Sequence, residues 1–263
     1  MTVLRRFVPF LFFGLLAVPC VGQDATEPDT HATEKRGIAA LDGSRLTADT
    51  LRYETDVQMG QQSTTRPTVR TFSKGLHEGT PIWRVVDAVE GAAQTDTLVL
   101  DRTSLRPLQR RVGGRAVLTL TFDSTSVSGT VRARGQTRSI EQAFDQPVLA
   151  STAHMEVGLA TLPLETGFVV RLPVFHLQQQ TVTPTTLRVT GTDTVAVPAG
   201  SFEAFVLETT SQGPGPSGTY YVRRAAPHHV VRADLTGKGP RGQAVTATKQ
   251  LTSMSGEASA GSK

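Results

Sequence analysis

The sequence predicts a mainly all-β protein: a long curved antiparallel sheet or open β-barrel with one short helix. Three observations predict it. Apolar and polar residues alternate in many short runs rich in Val, Thr and Leu, as half-buried strands require. These runs recur at about 8–12-residue spacing with turn residues between them, the rhythm of sandwiches, barrels and strongly curved sheets. Only one segment, 151–164, breaks period two for helical spacing.

The chain has 263 residues. Arg5-Arg6 followed by the apolar run Phe7–Val18 has the charge and length of a signal peptide and falls short of the roughly 20 apolar residues that a permanent span needs. Residues 1–22 are therefore expected to be removed, leaving no integral membrane span. Cys20, the only cysteine, either leaves with this leader or serves as a lipid anchor, although Pro19 before it fits a lipoprotein signal poorly. In both cases the remaining domain must be stable without a disulfide. Residues 23–37 read as a flexible polar tether, 38–252 as a single β-rich domain and 253–263 as a disordered Gly/Ser/Ala tail.

Within the domain, residues 51–59 put Leu51, Tyr53, Val57 and Met59 on one face and Arg52, Glu54, Asp56 and Gln58 on the other. Leu118, Leu120 and Phe122 are in phase in 116–122, as are Phe168, Val170, Leu172 and Val174 in 168–174. Similar runs occupy 68–73, 82–90, 96–101, 105–112, 127–134, 187–197, 202–210, 219–224, 229–236 and 244–251. The exception, STAHMEVGLATLPL (151–164), spaces Met155, Leu159 and Leu162 for a helix. Ser151 or Thr152 can cap it and Pro163 can end it. In TDTVAVPAGSFEAFVLETT (192–210), Pro198, Gly200 and Phe202 mark a hairpin connection. Pro cannot donate to a ladder, and Gly supplies positive φ. Ser201 is expected to bond within its own turn.

The formal charge is +4, and loss of the leader's two arginines leaves +2. Basic residues are scattered singly along strands, which reads as solvated faces and not as the stripe that nucleic acid needs. GPGPSG (213–218) and GKGPRG (237–242) match a dinucleotide fingerprint only formally. Strand patterns follow both, where phosphate binding requires a helix N-terminus. His228 and His229 are adjacent, so on a strand they point to opposite faces and cannot jointly close a metal site. No Gly-x-Ser-x-Gly elbow exists, and no set of residues singles out a catalytic centre. The sequence thus points to no catalytic residues, no metal and no cofactor.

Several pieces in order resemble the domain of unknown function 3108 family of exported bacterial β-rich proteins. They are DTLVLDRTSLRPLQRRV (96–112), VLTLTFDSTSVSGTV (117–131), LATLPLETGFVVRLPVF (159–175), VAVPAGSFEAFVLE (195–208) and TYYVRRAAPHHVVRADL (219–235). The resemblance implies a periplasmic or outer-membrane-associated protein whose shape is similar to half-open lipoprotein carriers. It supplies no catalytic residues. The expected function is a non-catalytic binding or carrier module for an apolar ligand, with a lipid or envelope protein as partner. Leu118, Leu120, Phe122, Phe168, Val170 and Leu172 are the candidate lining. The alternatives are a structural or assembly protein pairing through a sheet edge, and a hydrolase with an unrecognised site.

Overall fold

The computed structural model describes residues 35–255 apart from 178, 214, 240 and 241. The expected leader with Cys20, the tether up to residue 34 and the tail beyond Ser255 lie outside the described residues.

The described chain forms β1 (Lys35–Arg36), β2 (Asp49–Met59), β3 (Gln62–His77), β4 (Thr80–Val89), β5 (Thr95–Asp101), β6 (Pro107–Gly113), β7 (Ala116–Phe122), β8 (Ser126–Ala133) and β9 (Gln136–Ala143). After α1 (Thr152–Leu159) come β10 (Val169–His176), β11 (Thr181–Val197), β12 (Gly200–Ser211), β13 (Ser217–Arg223), β14 (Val230–Lys238) and β15 (Ala244–Met254). Two 3-10 turns, Ile38–Ala40 and Gly43–Arg45, precede β2.

All strands belong to one 15-stranded sheet, ordered β1-β10-β11-β12-β13-β14-β15-β2-β3-β4-β5-β6-β7-β8-β9. Two meanders, β2–β9 and β10–β15, are joined where β15 pairs antiparallel with β2. Among the described strand pairs only β1 against β10 is parallel, and an isolated parallel bridge joins Leu149 to Val174. Register shifts in β11, in the β13–β14 pairing, in β15 and in the β5–β6 pairing bend and twist the ladder, as bulges do. One of them explains why the adjacent Val230 and Val231 are both buried.

The sheet does not close: β9 pairs only with β8 and ends the order. The segment after β9 instead returns to β10, where Leu149 N–H donates to Pro173 O at 2.8 Å and Phe175 N–H donates to Leu149 O at 2.9 Å. The expected curved or open architecture is therefore present, and a closed barrel is not.

The strand at 136–143 is absent from the expected set because seven of its positions are polar or small and only Ile140 is buried. β15 runs to Met254, past the expected domain end at 252, because Met254 still pairs with Leu51. The hairpin after β11 is tighter than PAGSF suggests. Pro198 and Ala199 alone connect Val197 to its partner Gly200, whose φ is 134°. Ser201 stands exposed on β12 opposite Ala196, and the turn is held by Ala199 N–H donating to Leu251 O at 3.1 Å.

The helix forms where the sequence places it. Ser151 is its cap, with the side chain accepting from His154 N–H. It ends at Ala160, before Pro163. Its residues from His154 to Leu159 are all buried, so it lies within the core and has no solvated stripe. The apolar residues of α1, Ile38 of the first 3-10 turn, Leu41 and Leu46 beside the two turns, and the inner faces of most strands form one cluster.

Candidate functional site

The inner face of the sheet changes character along its strands. On β2, Leu51 and Tyr53 are buried, whereas Thr55, Val57 and Met59 on the same face are only partly covered. On β15, Leu251 is buried and Lys249, Ala247 and Val245 are partly covered. On β14, Ala233 gives way to Leu235 and Gly237, and on β4 Val85 gives way to Asp87 and Val89. Ladder partners point to the same face. Leu235 pairs with Ala247, Ala247 with Val57, and Val245 with Met59. The uncovered positions therefore form a continuous wall at the end of the sheet that carries the turns 60–61, 90–94 and 114–115.

Two grooves open on this wall. One, about 380 Å3, is lined by Met59, Leu235, Val245 and Ala247 among others. The other, about 890 Å3, is lined by Arg66, Val89, Val112, Arg115 and Ala116 with the turn residues Ala92–Gln94. Both volumes fall in the range of about 300–1,000 Å3 typical of small-molecule sites.

Beneath the wall lies a layer of buried charge. Arg70 on β3, 3% exposed, binds Asp87 on β4 through two parallel bonds of 2.6 and 2.7 Å. Its remaining nitrogen donates to Glu156 of α1 at 3.0 Å. Lys249 donates to the same Glu156 oxygen at 2.6 Å and sits 4.2 Å from the Tyr53 ring centroid. Asp96, the cross-strand partner of Asp87, pairs with Arg110 at 2.7 Å. Arg110 also donates to Ala150 O at 3.1 Å.

Burial alone would raise the Glu156 carboxyl, but Lys249 and Arg70 outweigh it and hold the group below the usual carboxylate range. Burial opposes ionisation of Asp87 too, and Arg70 overcomes it. For Lys249 desolvation wins and lowers its pKa despite Glu156. The layer balances three cations against three acids, and it locks α1 to strands 86 and 93 positions away. An unpaired charge could not be held at this depth.

Two buried histidines flank the layer. His154 Nδ1 accepts from Ala150 N–H at 3.1 Å, so the proton is on Nε2, which donates to Leu105 O at 2.9 Å. Burial pushes its pKa down to about 3. His229 packs on Phe72, with ring centroids 5.9 Å apart. Burial lowers it to about 4, although Asp49 lies 3.4 Å from Nε2 and acts in the opposite sense. His229 is buried, as are Val231 and Ala233, while His228 Nδ1 donates to Arg223 O of its own turn at 2.9 Å. The two histidines thus diverge. Among the described residues no group of three or more His, Cys, Asp or Glu is placed to hold a metal ion.

All six residues expected to line a ligand are in the packed core. Leu118, Leu120, Phe122, Phe168, Val170 and Leu172 are between 0% and 8% exposed, and neither groove touches them. Phe202 is also buried, under the Arg223 guanidinium at 5.8 Å. Strand phase identifies the inner face but cannot say how far α1 fills it. The charge layer was not legible either. The scattered basic residues read as solvated faces, yet Arg70, Arg110 and Lys249 point inward. The available signal was phase: Arg70 falls in register with Phe72, and Lys249 with Leu251.

A family profile described as "Protein of unknown function (DUF3108)" matches residues 41–238. The chain belongs to the DUF3108 family. The match spans the domain from just before the second 3-10 turn to the end of β14, so the charge layer of this DUF3108 protein lies inside it apart from Lys249 on β15. No curated protein matches the chain significantly. Two solved structures are similar to it. One, described as a "putative exported protein with YmcC-like fold" from Bacteroides fragilis, is 11% identical, with 82% of this chain and 99% of that chain covered and a TM-score of 0.30. The other, described as a "putative lipoprotein" from Parabacteroides distasonis, is 7% identical, with 80% and 96% covered and a TM-score of 0.30. No helix among the described residues of the DUF3108 domain is long and apolar enough to cross a membrane.

Proposed function

We propose that this DUF3108 protein is an exported, non-catalytic binding or carrier module that holds an apolar ligand on the uncovered end of its inner sheet face. The observation that carries this reading is the continuous wall of Val57, Met59, Leu235, Val245 and Ala247. These side chains face inward, are apolar and are only partly covered. An apolar, incompletely packed stretch of inner face is where curved sheets accommodate ligands. The candidate residues from Leu118 to Leu172 serve this reading as the packed floor beneath the wall. The Arg5-Arg6 leader supports export to the periplasm or to the outer membrane. Organic extraction of protein purified from its host tests the proposal, together with uptake of a fluorescent acyl probe. Co-purified lipid and saturable uptake are expected. An empty extract together with no uptake overturns the reading.

A structural or assembly role has its own support. Among the described residues β9 has a ladder partner on one side only and ends the sheet order, and an open edge can accept a partner strand. Pull-down with the intact protein and with an Ile140→Pro variant tests it. A defined envelope partner lost in the variant supports edge pairing, and equal capture by both contradicts it.

A further inference from the structure

The charges around the wall are not balanced. At the turn-bearing end, the inward acids of β4 and β5 are both engaged, Asp87 by Arg70 and Asp96 by Arg110. Glu90, in the neighbouring turn, pairs with Arg52. The arginines there are different. Arg66 is opposite Thr55, whose face carries Tyr53 and Val57, so it points inward. Arg138 is opposite Val131, which is itself opposite the buried Leu118, so it points inward as well. Arg115 lies in the β6–β7 turn and, with Arg66, lines the groove of about 890 Å3. All three are exposed, and none makes an ion pair or hydrogen bond among the described residues.

The same groove has Val89, Val112 and Ala116 as its apolar side. Guanidinium groups beside an apolar wall match a ligand with an anionic head and an aliphatic body. Their forked donors suit the planar or tetrahedral oxygens of carboxylate and phosphate. We propose that the ligand is a single-chain anionic amphiphile, with its head held by Arg66 and Arg115 and its chain lying on the wall that ends at Met59 and Val245. This rests on the binding reading given above and specifies the class of ligand.

The test is titration of the full protein with oleate, with oleoyl lysophosphatidate and with the uncharged monoolein, each below its aggregation concentration. Oleate or the lysophosphatidate should bind at least about tenfold more tightly than monoolein, and that preference should shrink with added salt. The double variant Arg66→Gln/Arg115→Gln should lose the preference and retain monoolein binding. Arg132→Gln, on the opposite face of β8, should change neither. The two anionic arms tell a carboxylate head from a phosphate head. Equal affinity for all three compounds, or an unchanged preference in the double variant, overturns the head-group assignment and leaves the apolar wall standing. Failure of all three to bind overturns the wall as well.

Discussion

Lys249 Nζ and Glu156 Oε2 meet at 2.6 Å although 93 positions separate them in the chain. The bond ties the last strand to the helix, and Arg70 approaches the same oxygen from β3. Removing one partner of such a buried pair costs about 3–5 kcal/mol, because the other charge stays behind without compensation. Glu156→Gln should therefore lower the unfolding free energy by about 3 kcal/mol in urea titration. Adding Lys249→Met should recover part of that loss, since it removes the orphaned ammonium. A double variant less stable than the single one would show that Lys249 has another anchor.

Stability should fall as the solution is acidified from neutral. His154 and His229 have folded pKa values of about 3 and about 4, depressed by burial from 6.5. Below pH 6.5 the unfolded chain takes up protons that the folded chain refuses, so each histidine contributes stability that is lost as pH drops. The loss is about 1.4 kcal/mol per pH unit for each histidine until its folded pKa is reached. The depressed carboxyls of Glu156 and Asp87 add to the loss at lower pH, below their ordinary values of 4.5 and 3.8. Urea midpoints at pH 7, 6, 5 and 4 check this, and a flat profile across that range contradicts burial of both neutral imidazoles.

These two predictions depend on features the sequence conveys unevenly. Period two placed Leu51 and Tyr53 on the core face of β2, and helical spacing placed α1 to within a few residues. The partners of Glu156 were hidden because they arrive from strands distant in the chain, and a single Arg or Lys in an alternating strand has the same pattern whether it meets water or a carboxylate. The extent of the open wall was hidden for a related reason. Val57 and Leu51 are equivalent by alternation, and only the position of α1 decides which of them is covered.

Gly218 tests the closeness of β13 and β14. Its φ is 151°, and a Cβ there would lie 2.1 Å from Asp234 O and 3.0 Å from Leu235 Cα. Both are backbone atoms and cannot swing aside. Gly218→Ala should lower stability by at least about 2 kcal/mol through steric clash and backbone strain. A melting temperature equal to that of the parent protein would show that the two strands separate easily.

Trp83, the only tryptophan in the chain, reports on the opposite end of the domain. It is 1% exposed, and its Nε1–H donates to Gly43 O at 2.9 Å. Native emission should be blue-shifted and poorly quenched by acrylamide, with a red shift on unfolding. Trp83→Phe leaves the buried Gly43 carbonyl without this donor and should cost about 1–3 kcal/mol by denaturant titration.

The central claim, that an apolar ligand lies on the uncovered inner wall, is tested most directly by methyl NMR during titration with an acyl ligand. Saturable shifts should concentrate on Val57, Met59, Leu235 and Val245, while the core methyls of Leu120, Val170 and Leu172 stay nearly fixed. No saturable shift, or shifts centred on the core or on Ile140 of the β9 edge, would contradict it.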